Sequence, residues 1–288
     1  MSRVAYVNGI YVPHDQAVVP MDDRGYHFAD GVYEVFSYNV NHVFVDAGPH
    51  FERLRASLAA LNIPFSLSNH SLLIIMHELM RRNRCQEGFL YLQITRGIAA
   101  REHTVAHTLE PFMTLFIRPH VFKKDPPLLS VFTQPDIRWK RNDIKSIALL
   151  GNIMAKYGSF EQGGDEAWLI NKDGFITEGS STNAWIVDQH GVIRTHPGTR
   201  DILNGIVRQR LLKMVASLGF ALEERAFTLD DALKAQEAFL TSSTKGVYPI
   251  VSINDHPVGK GGMGPITQSL QQAYWFFQHS LLQDDGKE

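Results

Sequence analysis

The 288-residue chain has little of what marks the more specialised classes of protein. Its one cysteine, Cys85, can form neither an intrachain disulfide nor a cysteine-cluster metal site. The formal net charge of −2 removes the usual electrostatic argument for binding nucleic acid or an acidic membrane. No run approaches the roughly 18 apolar residues of a membrane span, and the first residues lack the apolar core of a signal peptide. We therefore expect a cytoplasmic protein, since a chain with one cysteine and no export signal suits a reducing compartment.

Lysine is missing from a large part of the sequence. The first 122 residues contain none, and all 11 lie between Lys123 and Lys287. Lys145 stands out because its neighbours are apolar: Ile144, Ile147, Leu149 and Leu150. A charged amine is costly to bury, so a lysine in such a run either extends its amine into water or has a function. Burial lowers the pKa of a lysine and yields the neutral amine that a Schiff-base nucleophile requires.

The N-terminal part of the sequence reads as strands with two helices. Asn8-Gly9 lies between two short apolar runs and predicts a tight hairpin, because both residues tolerate a positive φ. Branched and aromatic residues predict further strands at 32–38, 42–45, 89–95 and 112–117. Leucine spacing predicts one helix that ends at Asn62, and a second helix with Ser68 or Asn69 as its N-cap. This mixture is an α+β pattern.

The segment PHVFKKDPP at 119–127 is the best candidate for a linker, because it holds three prolines and has little periodicity. After it we expect strands near 129–133, 167–171, 176–177 and 184–187, and helices near 152–162, 205–218, 229–235 and 265–282. We therefore predict two domains: an N-terminal α+β domain at 1–120 and a C-terminal domain at 128–288, joined by a linker at 121–127.

Three polar segments follow or precede predicted elements: TEGSSTN at 177–183, LNGIVR at 203–208 and LTSSTKG at 240–246. Glu178 in the first could direct a carboxylate into a cavity, and free N–H groups at the helix start in the second attract anions. Each segment alone is equally explained as a turn or a helix cap. Together with Lys145 they supply what pyridoxal phosphate needs: a lysine, a partner for the pyridine nitrogen and donors for the phosphate.

The sequence resembles the class IV, fold-type-IV pyridoxal-phosphate aminotransferases over essentially its whole length. Within that family it is most similar to the D-amino acid transaminases. The resemblance rests on DRGYHFADGVYEV at 23–35, on DIKS at 143–146 followed by TEGSSTN, and on TSST at 241–244. It implies an α+β fold of two domains, in which a smaller N-terminal α/β sandwich precedes a larger, β-barrel-like C-terminal domain with helices. The implied cofactor is pyridoxal 5′-phosphate.

The resemblance also implies three central roles. Lys145 matches the Schiff-base lysine, which also moves the substrate proton. Glu178 matches the carboxylate that pairs with the protonated pyridine nitrogen. Arg53, in HFERL at 50–54, matches the arginine that binds the phosphate, a dianion suited to a guanidinium fork. Without the resemblance, Arg53 reads as a solvated helix charge paired with Glu52.

Further cofactor contacts follow from the same resemblance. Ile206 and Val207 match the residues whose backbone N–H groups bind the phosphate, Ser243 matches a hydroxyl donor, and Leu203 would pack beneath the cofactor ring. The family's D-amino acid members often carry threonine at the position of Val207. That hydroxyl contact is absent in this chain, whereas the backbone contact is retained.

Substrate recognition is assigned by the resemblance to Tyr33, Arg101 and His103. The last two are spaced i, i+2 in a loop, so in extended chain they point the same way and can bind one carboxylate. An exposed polar loop explains the same residues without any function. In the family this loop reaches the site of the neighbouring subunit, which implies a homodimer with a shared site. Branched-chain and chorismate-lyase relatives are not expected to carry the Arg-x-His pair.

The implied activity is transfer of the amino group of a D-amino acid, of the D-alanine type, to a 2-oxo acid such as 2-oxoglutarate or pyruvate. Small-molecule substrates are the expected ligands, with no nucleic acid and no membrane. Three alternatives share the fold: a branched-chain L-amino acid transaminase, an (R)-amine transaminase and an aminodeoxychorismate lyase. A non-catalytic protein that binds vitamin B6 phosphates is a fourth.

Overall fold

The computed structural model describes residues 3–105 and 108–282, which divide into two compact units. The first unit comprises the described residues of Met1–Val121, Ile144–Ala148 and Gln278–Glu288. The second comprises Phe122–Asp143 and Leu149–Phe277. None of the described helices combines the length and the apolar character needed to cross a membrane. The domain boundaries at 1–120, 121–127 and 128–288 stay a prediction.

The first unit has one antiparallel sheet and three complete α-helices among its described residues. Its strands are β1 Val4–Val7, β2 Ile10–Pro13, β3 Gly31–Tyr38, β4 Gly88–Thr95 and β5 Phe112–Pro119, in the spatial order β2-β1-β5-β4-β3. Its helices are α1 Arg24–Phe28, α2 Ala47–Ala60 and α3 Asn69–Asn83. The core of the unit joins buried side chains of the sheet, such as Phe36 and Leu90, to Leu54 of α2 and Met76 of α3.

Local sequence signals explain much of this unit. Asn8 and Gly9 have φ values of 41° and 106°, so the predicted hairpin is confirmed. Ser68 is the N-cap of α3, and its hydroxyl accepts a hydrogen bond from the N–H of Ser71. The strand predicted at 42–45 is wrong: only an isolated bridge joins Phe44 to β3.

The segment Ile144–Ala148 belongs to the first unit and lies along β3. The N–H of Tyr33 donates to the Lys145 carbonyl at 3.0 Å, and the N–H of Ile147 donates to the Gly31 carbonyl at 3.1 Å. A Cβ atom at Gly31 would lie 2.7 Å from the Ile94 carbonyl oxygen of β4, so the close approach of β3 to β4 at this position requires glycine. The backbone of Lys145 is thereby held beside β3.

The second unit is built on a mixed sheet. Its strands are β6 Leu129–Pro135, β7 Glu166–Ile170, β8 Phe175–Gly179, β9 Asn183–Val187, β10 Ile193–Thr195, β11 Leu222–Glu224, β12 Phe227–Thr228, β13 Glu237–Ser242, β14 Gly246–Ile253 and β15 His256–Pro257. The order is β11-β10-β9-β13-β14-β6-β7-β8-β12, and β15 pairs with β14. The helices are α4 Leu150–Phe160, α5 Ile206–Ser217, α6 Leu229–Leu233 and the greater part of α7 Pro265–Ser280.

The central strands of this sheet are buried on both faces, which explains their continuous apolar sequences. On one side Trp168, Ile186 and Leu240 belong to one core cluster. Trp185 and Phe239, on neighbouring strands, belong to a second core cluster with α5 and α7. The helices predicted near 152–162, 205–218, 229–235 and 265–282 are confirmed, with ends displaced by a few residues.

We predict that Asn83→Ala destabilises the first unit. The side chain of Asn83 accepts from the N–H groups of Arg3 and Val4 at 2.7 and 3.1 Å and donates to the Val4 and Leu79 carbonyls at 3.0 and 2.9 Å. Losing these bonds should lower the free energy of unfolding by about 2 kcal/mol. Equilibrium denaturation measures the change. The control Asn69→Ala, at an exposed position, should change little; equal losses in both variants would contradict the prediction.

Candidate active site

Three side chains of α2 face β3 and the Lys145 segment. His50, Arg53 and Ser57 are spaced i, i+3, i+7 and so share one face of the helix. The Ser57 hydroxyl accepts a hydrogen bond of 3.1 Å from the Lys145 N–H. The Lys145 Nζ lies 4.2 Å from the centroid of the Tyr33 ring, within the range of a cation–π contact. The structure therefore brings together two predicted site residues, Lys145 and Tyr33.

Arg53 forms a two-bond ion pair with Glu34, the residue after Tyr33 on β3. Its Nε donates to Oε1 at 2.7 Å and its Nη2 to Oε2 at 2.8 Å. The Arg53 side chain is 10% exposed and that of Glu34 is fully buried. Arg53 is therefore not a solvated helix charge paired with Glu52. Glu34 takes up one edge of its guanidinium fork, and phosphate binding by Arg53 stays a prediction.

His50 is the third member of this cluster, which the sequence reading did not assign. Its Nδ1 lies 2.7 Å from Oε2 of Glu34. Burial lowers the pKa of His50, although Glu34 acts in the opposite sense. Burial alone would raise the pKa of Glu34, but the charge and hydrogen bonds of Arg53, with those of His50, hold it well below its usual value. At neutral pH the cluster is one ion pair and a neutral imidazole, so the charge of Arg53 is already balanced.

Glu178 is the second-last residue of β8, in the second unit, and is buried. Its Oε1 accepts hydrogen bonds from the Leu203 N–H, at 3.0 Å, and from the Arg138 guanidinium. Its Oε2 accepts a hydrogen bond of 3.1 Å from the Asn183 side-chain amide. Burial raises the pKa of Glu178, while the charge of Arg138 and the bonds from Arg138 and Leu203 oppose that shift.

Arg138 is a functional candidate that the sequence analysis missed. Its guanidinium donates from Nε to Oδ1 of Asp136 at 2.9 Å and from Nη2 to Oδ2 at 2.8 Å, in addition to its bond to Glu178. The Arg138 side chain is only 5% exposed, and one arginine faces two carboxylates. This network carries one excess negative charge when both acids are ionised. No motif announced it, because only the fold brings Arg138 to Glu178.

The Glu178 carboxylate suits the pyridinium of pyridoxal phosphate. A carboxylate offers about four lone-pair positions. Three donors occupy positions on Glu178, two on Oε1 and one on Oε2. An N–H donor can still bind Oε2, and a cation there would balance the excess negative charge of the network. The donor set therefore fits the cofactor on both hydrogen bonding and charge.

The N-terminus of α5 is adjacent to this carboxylate. Gly205 is the N-cap, no side chain caps it, and Ile206 and Val207 form the first turn. The Asn183 amide joins the two features, since it donates to the Leu203 carbonyl at 2.9 Å as well as to Glu178. The structure thus brings together four predicted cofactor residues: Glu178, Leu203, Ile206 and Val207. The uncapped N–H groups and the helix dipole suit a phosphate.

Ser243 lies in the turn after β13, and the sheet register relates this turn to the same region. Thr241 of β13 pairs with Asn183 of β9, so the turn begins two residues beyond the strand position that faces Asn183. The Trp185 Nε1 donates to the Thr241 hydroxyl at 3.0 Å and fixes this strand end. The turn carrying Ser243 is therefore close in the sheet to the residue that holds Glu178.

Arg101 and His103 lie on an exposed loop of the first unit. Both are held against one ring: the Arg101 guanidinium lies 5.3 Å, and the His103 ring centroid 5.6 Å, from the centroid of Phe28. The two side chains thus contact one aromatic ring, and their binding of one carboxylate stays a prediction. Within residues 3–105 and 108–282, neither makes a hydrogen bond, ion pair or ring contact with Tyr33.

Comparison with known proteins identifies the family. Residues 31–253 match the amino-transferase class IV family. The chain is 40% identical over 282 residues to a D-alanine aminotransferase of Bacillus licheniformis, with 97% of this chain and 98% of that one covered. It is 36% identical over 287 residues to a D-alanine aminotransferase of Listeria monocytogenes, with 98% and 97% covered. The chain belongs to the class IV aminotransferases. The predicted family, enzyme class and cofactor, pyridoxal 5′-phosphate, are confirmed.

Solved structures agree on the fold. The branched-chain amino acid aminotransferase of Escherichia coli superposes with a TM-score of 0.91 at 21% identity, covering 99% of this chain and 98% of that one. The PLP form of the branched-chain aminotransferase of Thermobaculum terrenum gives 0.87 at 22% identity, covering 96% and 93%. The predicted α+β architecture of fold-type-IV aminotransferases is confirmed.

We predict that Glu34→Gln removes a pH-dependent part of the stability. In the wild-type protein the pKa of Glu34 lies below its ordinary value of 4.5, so its contribution is present above that pH and is lost as the pH falls below it. The variant leaves Arg53 buried without its counter-ion, which should cost about 3 kcal/mol at pH 7. Denaturation curves between pH 7 and pH 3 should show that this difference narrows in acid.

The matched control is Glu52→Gln, on the exposed side of the same helix. It should leave both the stability and its pH dependence close to those of the wild-type protein. If Glu34→Gln and the wild-type protein lose stability in parallel as the pH falls, Glu34 is not held ionised by Arg53 in the folded protein.

Proposed function

We propose that this aminotransferase transfers the amino group of a D-amino acid, of the D-alanine type, to a 2-oxo acid such as 2-oxoglutarate or pyruvate. Two relatives with 36–40% identity over nearly the whole chain are D-alanine aminotransferases. The observation in this chain that carries the proposal is the pairing of Arg101 and His103 on the Phe28 ring. We propose that these two groups, held on one ring, bind one substrate carboxylate.

Pyridoxal phosphate supplies an electron sink for the carbanion that forms when the α-proton of an amino acid leaves. Lys145 would hold the cofactor through its amine, and the same amine would act as general base and general acid toward the α-carbon of the substrate. Its backbone is fixed by Ser57 through its N–H and by Tyr33 through its carbonyl. The side chain can therefore swing while its anchor stays in place.

Glu178 would hold the proton on the pyridine nitrogen through a lone pair of Oε2. Arg138 and Asn183 keep the carboxylate in position. The first turn of α5, at Ile206 and Val207, binds the phosphate by its backbone N–H groups. The resemblance assigns phosphate binding to Ser243 and to Arg53 as well, and Leu203 would support the ring. Because residue 207 is valine, the backbone alone contributes at that position.

The position of the carboxylate decides which enantiomer reacts. The carboxylate of the donor would be held by Tyr33, Arg101 and His103, and its amine by the reaction itself. The two enantiomers then differ only in the exchange of the α-hydrogen and the side chain. One lysine on one face of the cofactor then removes the α-hydrogen of a single enantiomer. The resemblance assigns this geometry to the D series, and the D-alanine aminotransferase relatives support it.

We further propose that the protein is a homodimer in which the loop carrying Arg101 and His103 serves the neighbouring subunit, and that it acts in the cytoplasm. The outer face of α4 supports the dimer. Its buried residues are the small Ala155 and Ser159, whereas its large apolar side chains are exposed: Leu150, Ile153, Met154, Tyr157 and Phe160. An apolar face of this size on a helix marks a surface that another protein covers. The single cysteine suits a reducing compartment.

The chemistry of Lys145 gives the first test. The purified protein should be yellow, and borohydride should fix the cofactor to a peptide that contains Lys145. Lys145→Ala should abolish the label and the activity. Lys140→Ala, at an exposed lysine in the same stretch, should keep both. A colourless protein, or a label on another lysine, would contradict the assignment.

Half-reactions with D- and L-alanine give the test of the substrate. D-alanine should convert the bound cofactor to pyridoxamine phosphate, which is seen as loss of the yellow band, and L-alanine should not. A panel of D- and L-donors with pyruvate and 2-oxoglutarate then defines the range of substrates. Conversion by L-alanine or L-leucine alone would reject the proposed donor in favour of a branched-chain L-amino acid transaminase.

The dimer is tested at α4. The double variant Met154→Glu, Tyr157→Glu should be monomeric by light scattering and should lose activity with D-alanine, because the Arg101 loop no longer reaches a partner's site. Ile74→Glu is the matched control, since Ile74 is an equally exposed apolar residue on α3. A wild-type monomer with full activity, or a double variant that stays dimeric, would contradict this arrangement.

A further inference from the structure

Arg24 connects α1 to the backbone of the loop that carries Arg101 and His103. It is buried, and its Nη1 donates to the Glu102 carbonyl at 2.6 Å while its Nη2 donates to the His103 carbonyl at 3.3 Å. Glu102 lies between the two predicted carboxylate-binding residues, and His103 is the second of them. Arg24 therefore holds the main chain of the loop where its two functional side chains emerge.

Phe28, one helical turn after Arg24, holds the side chains of the same loop. The guanidinium groups of Arg24 and Arg101 lie 4.9 and 5.3 Å from its ring centroid, and the His103 ring lies 5.6 Å away. Both guanidinium distances fall within the range of cation–π attraction. One aromatic ring thus fixes the positions of both residues that are expected to bind the substrate.

The anchor itself is rigid. Asp30 accepts from Arg24 Nε at 2.8 Å and from Arg96 at 2.8 and 3.0 Å. Arg96 also donates to the carbonyls of Leu61 and Asn62 at 2.8 and 3.0 Å, at the end of α2. The contacts therefore run from the end of α2 through Arg96, Asp30 and Arg24 to the exposed loop.

We infer that Arg24 and Phe28 are positioning residues that hold the loop backbone and the side chains of Arg101 and His103 for the carboxylate of the substrate. This inference rests on the proposed function of that loop. An exposed arginine and histidine would otherwise sample many rotamers, and fixing them on binding would cost conformational entropy. Arg24 and Phe28 remove that cost in advance, so their effect falls on substrate affinity and not on the chemical step at Lys145.

Loss of the yellow absorption band in a single turnover with D-alanine tests this inference. Arg24→Gln and Phe28→Leu should each raise the apparent dissociation constant of D-alanine by about tenfold, since misplacing one charge-assisted contact has that effect. The rate at saturating D-alanine and the absorption spectrum of the holoenzyme should stay unchanged. Phe28→Tyr keeps the aromatic face and should behave as the wild-type protein. Arg81→Gln, on the exposed side of α3, is the control.

A double-mutant comparison separates positioning from a general structural role. Arg101→Leu with His103→Ala removes the two groups on which Arg24 and Phe28 are inferred to act. In that background, adding Phe28→Leu or Arg24→Gln should cause no further rise in the dissociation constant. An undiminished further rise in this background, or unchanged affinity in both single variants, would overturn the inference. Failure of the wild-type protein to react with D-alanine would instead reject the proposed donor, so the two failures are distinguishable.

Discussion

The buried ion pair between Glu34 and Arg53 is the contact on which the geometry of the first unit depends. It joins β3 to α2 inside the core, and each of these elements then holds one side of Lys145: Tyr33 binds its carbonyl and Ser57 its N–H. A buried pair contributes little net stability, because desolvation offsets the attraction. It does exclude alternative registers, since any slip between strand and helix would leave a charge buried without its partner.

Glu178 also lies in a buried ionic network, but the charges of that network do not balance. In the first unit the charges of Glu34 and Arg53 cancel, and no excess negative charge is left. In the second unit Arg138 faces both Asp136 and Glu178, and a negative charge and a lone pair are left over. The second network therefore suits a cationic donor. This difference explains why Glu178, and not Glu34, suits the protonated pyridine nitrogen.

The sequence predicted the features that depend on residues close together in the chain. It predicted few of the contacts that form only in the folded protein. The Asn8-Gly9 hairpin and the Ser68 cap follow from local conformational preferences, and Lys145 could be singled out by its apolar neighbours. The partners of these residues could not be predicted in that way. Arg138 lies 40 residues from Glu178 in sequence. The pairing of the two is decided by how β6 and β8 lie beside β7, which no local pattern encodes. Glu34 was hidden for a similar reason: it lies within the DGVYEV motif, but only the α2 contact reveals its role.

The residues proposed to bind the carboxylate and those proposed to carry the chemistry lie in different kinds of structure. Glu34 and Glu178 lie in buried ionic networks, where a change of one residue leaves an uncompensated charge, and Lys145 is half-buried beside Tyr33. Arg101 and His103 lie on an exposed loop, where substitution costs little stability. In the proposed site a loop so exposed needs a support, and α1 contacts it through Arg24 and Phe28. On this proposal, a change in the loop or in its support alters how the substrate carboxylate is held, while the contacts of Lys145 and Glu178 stay the same.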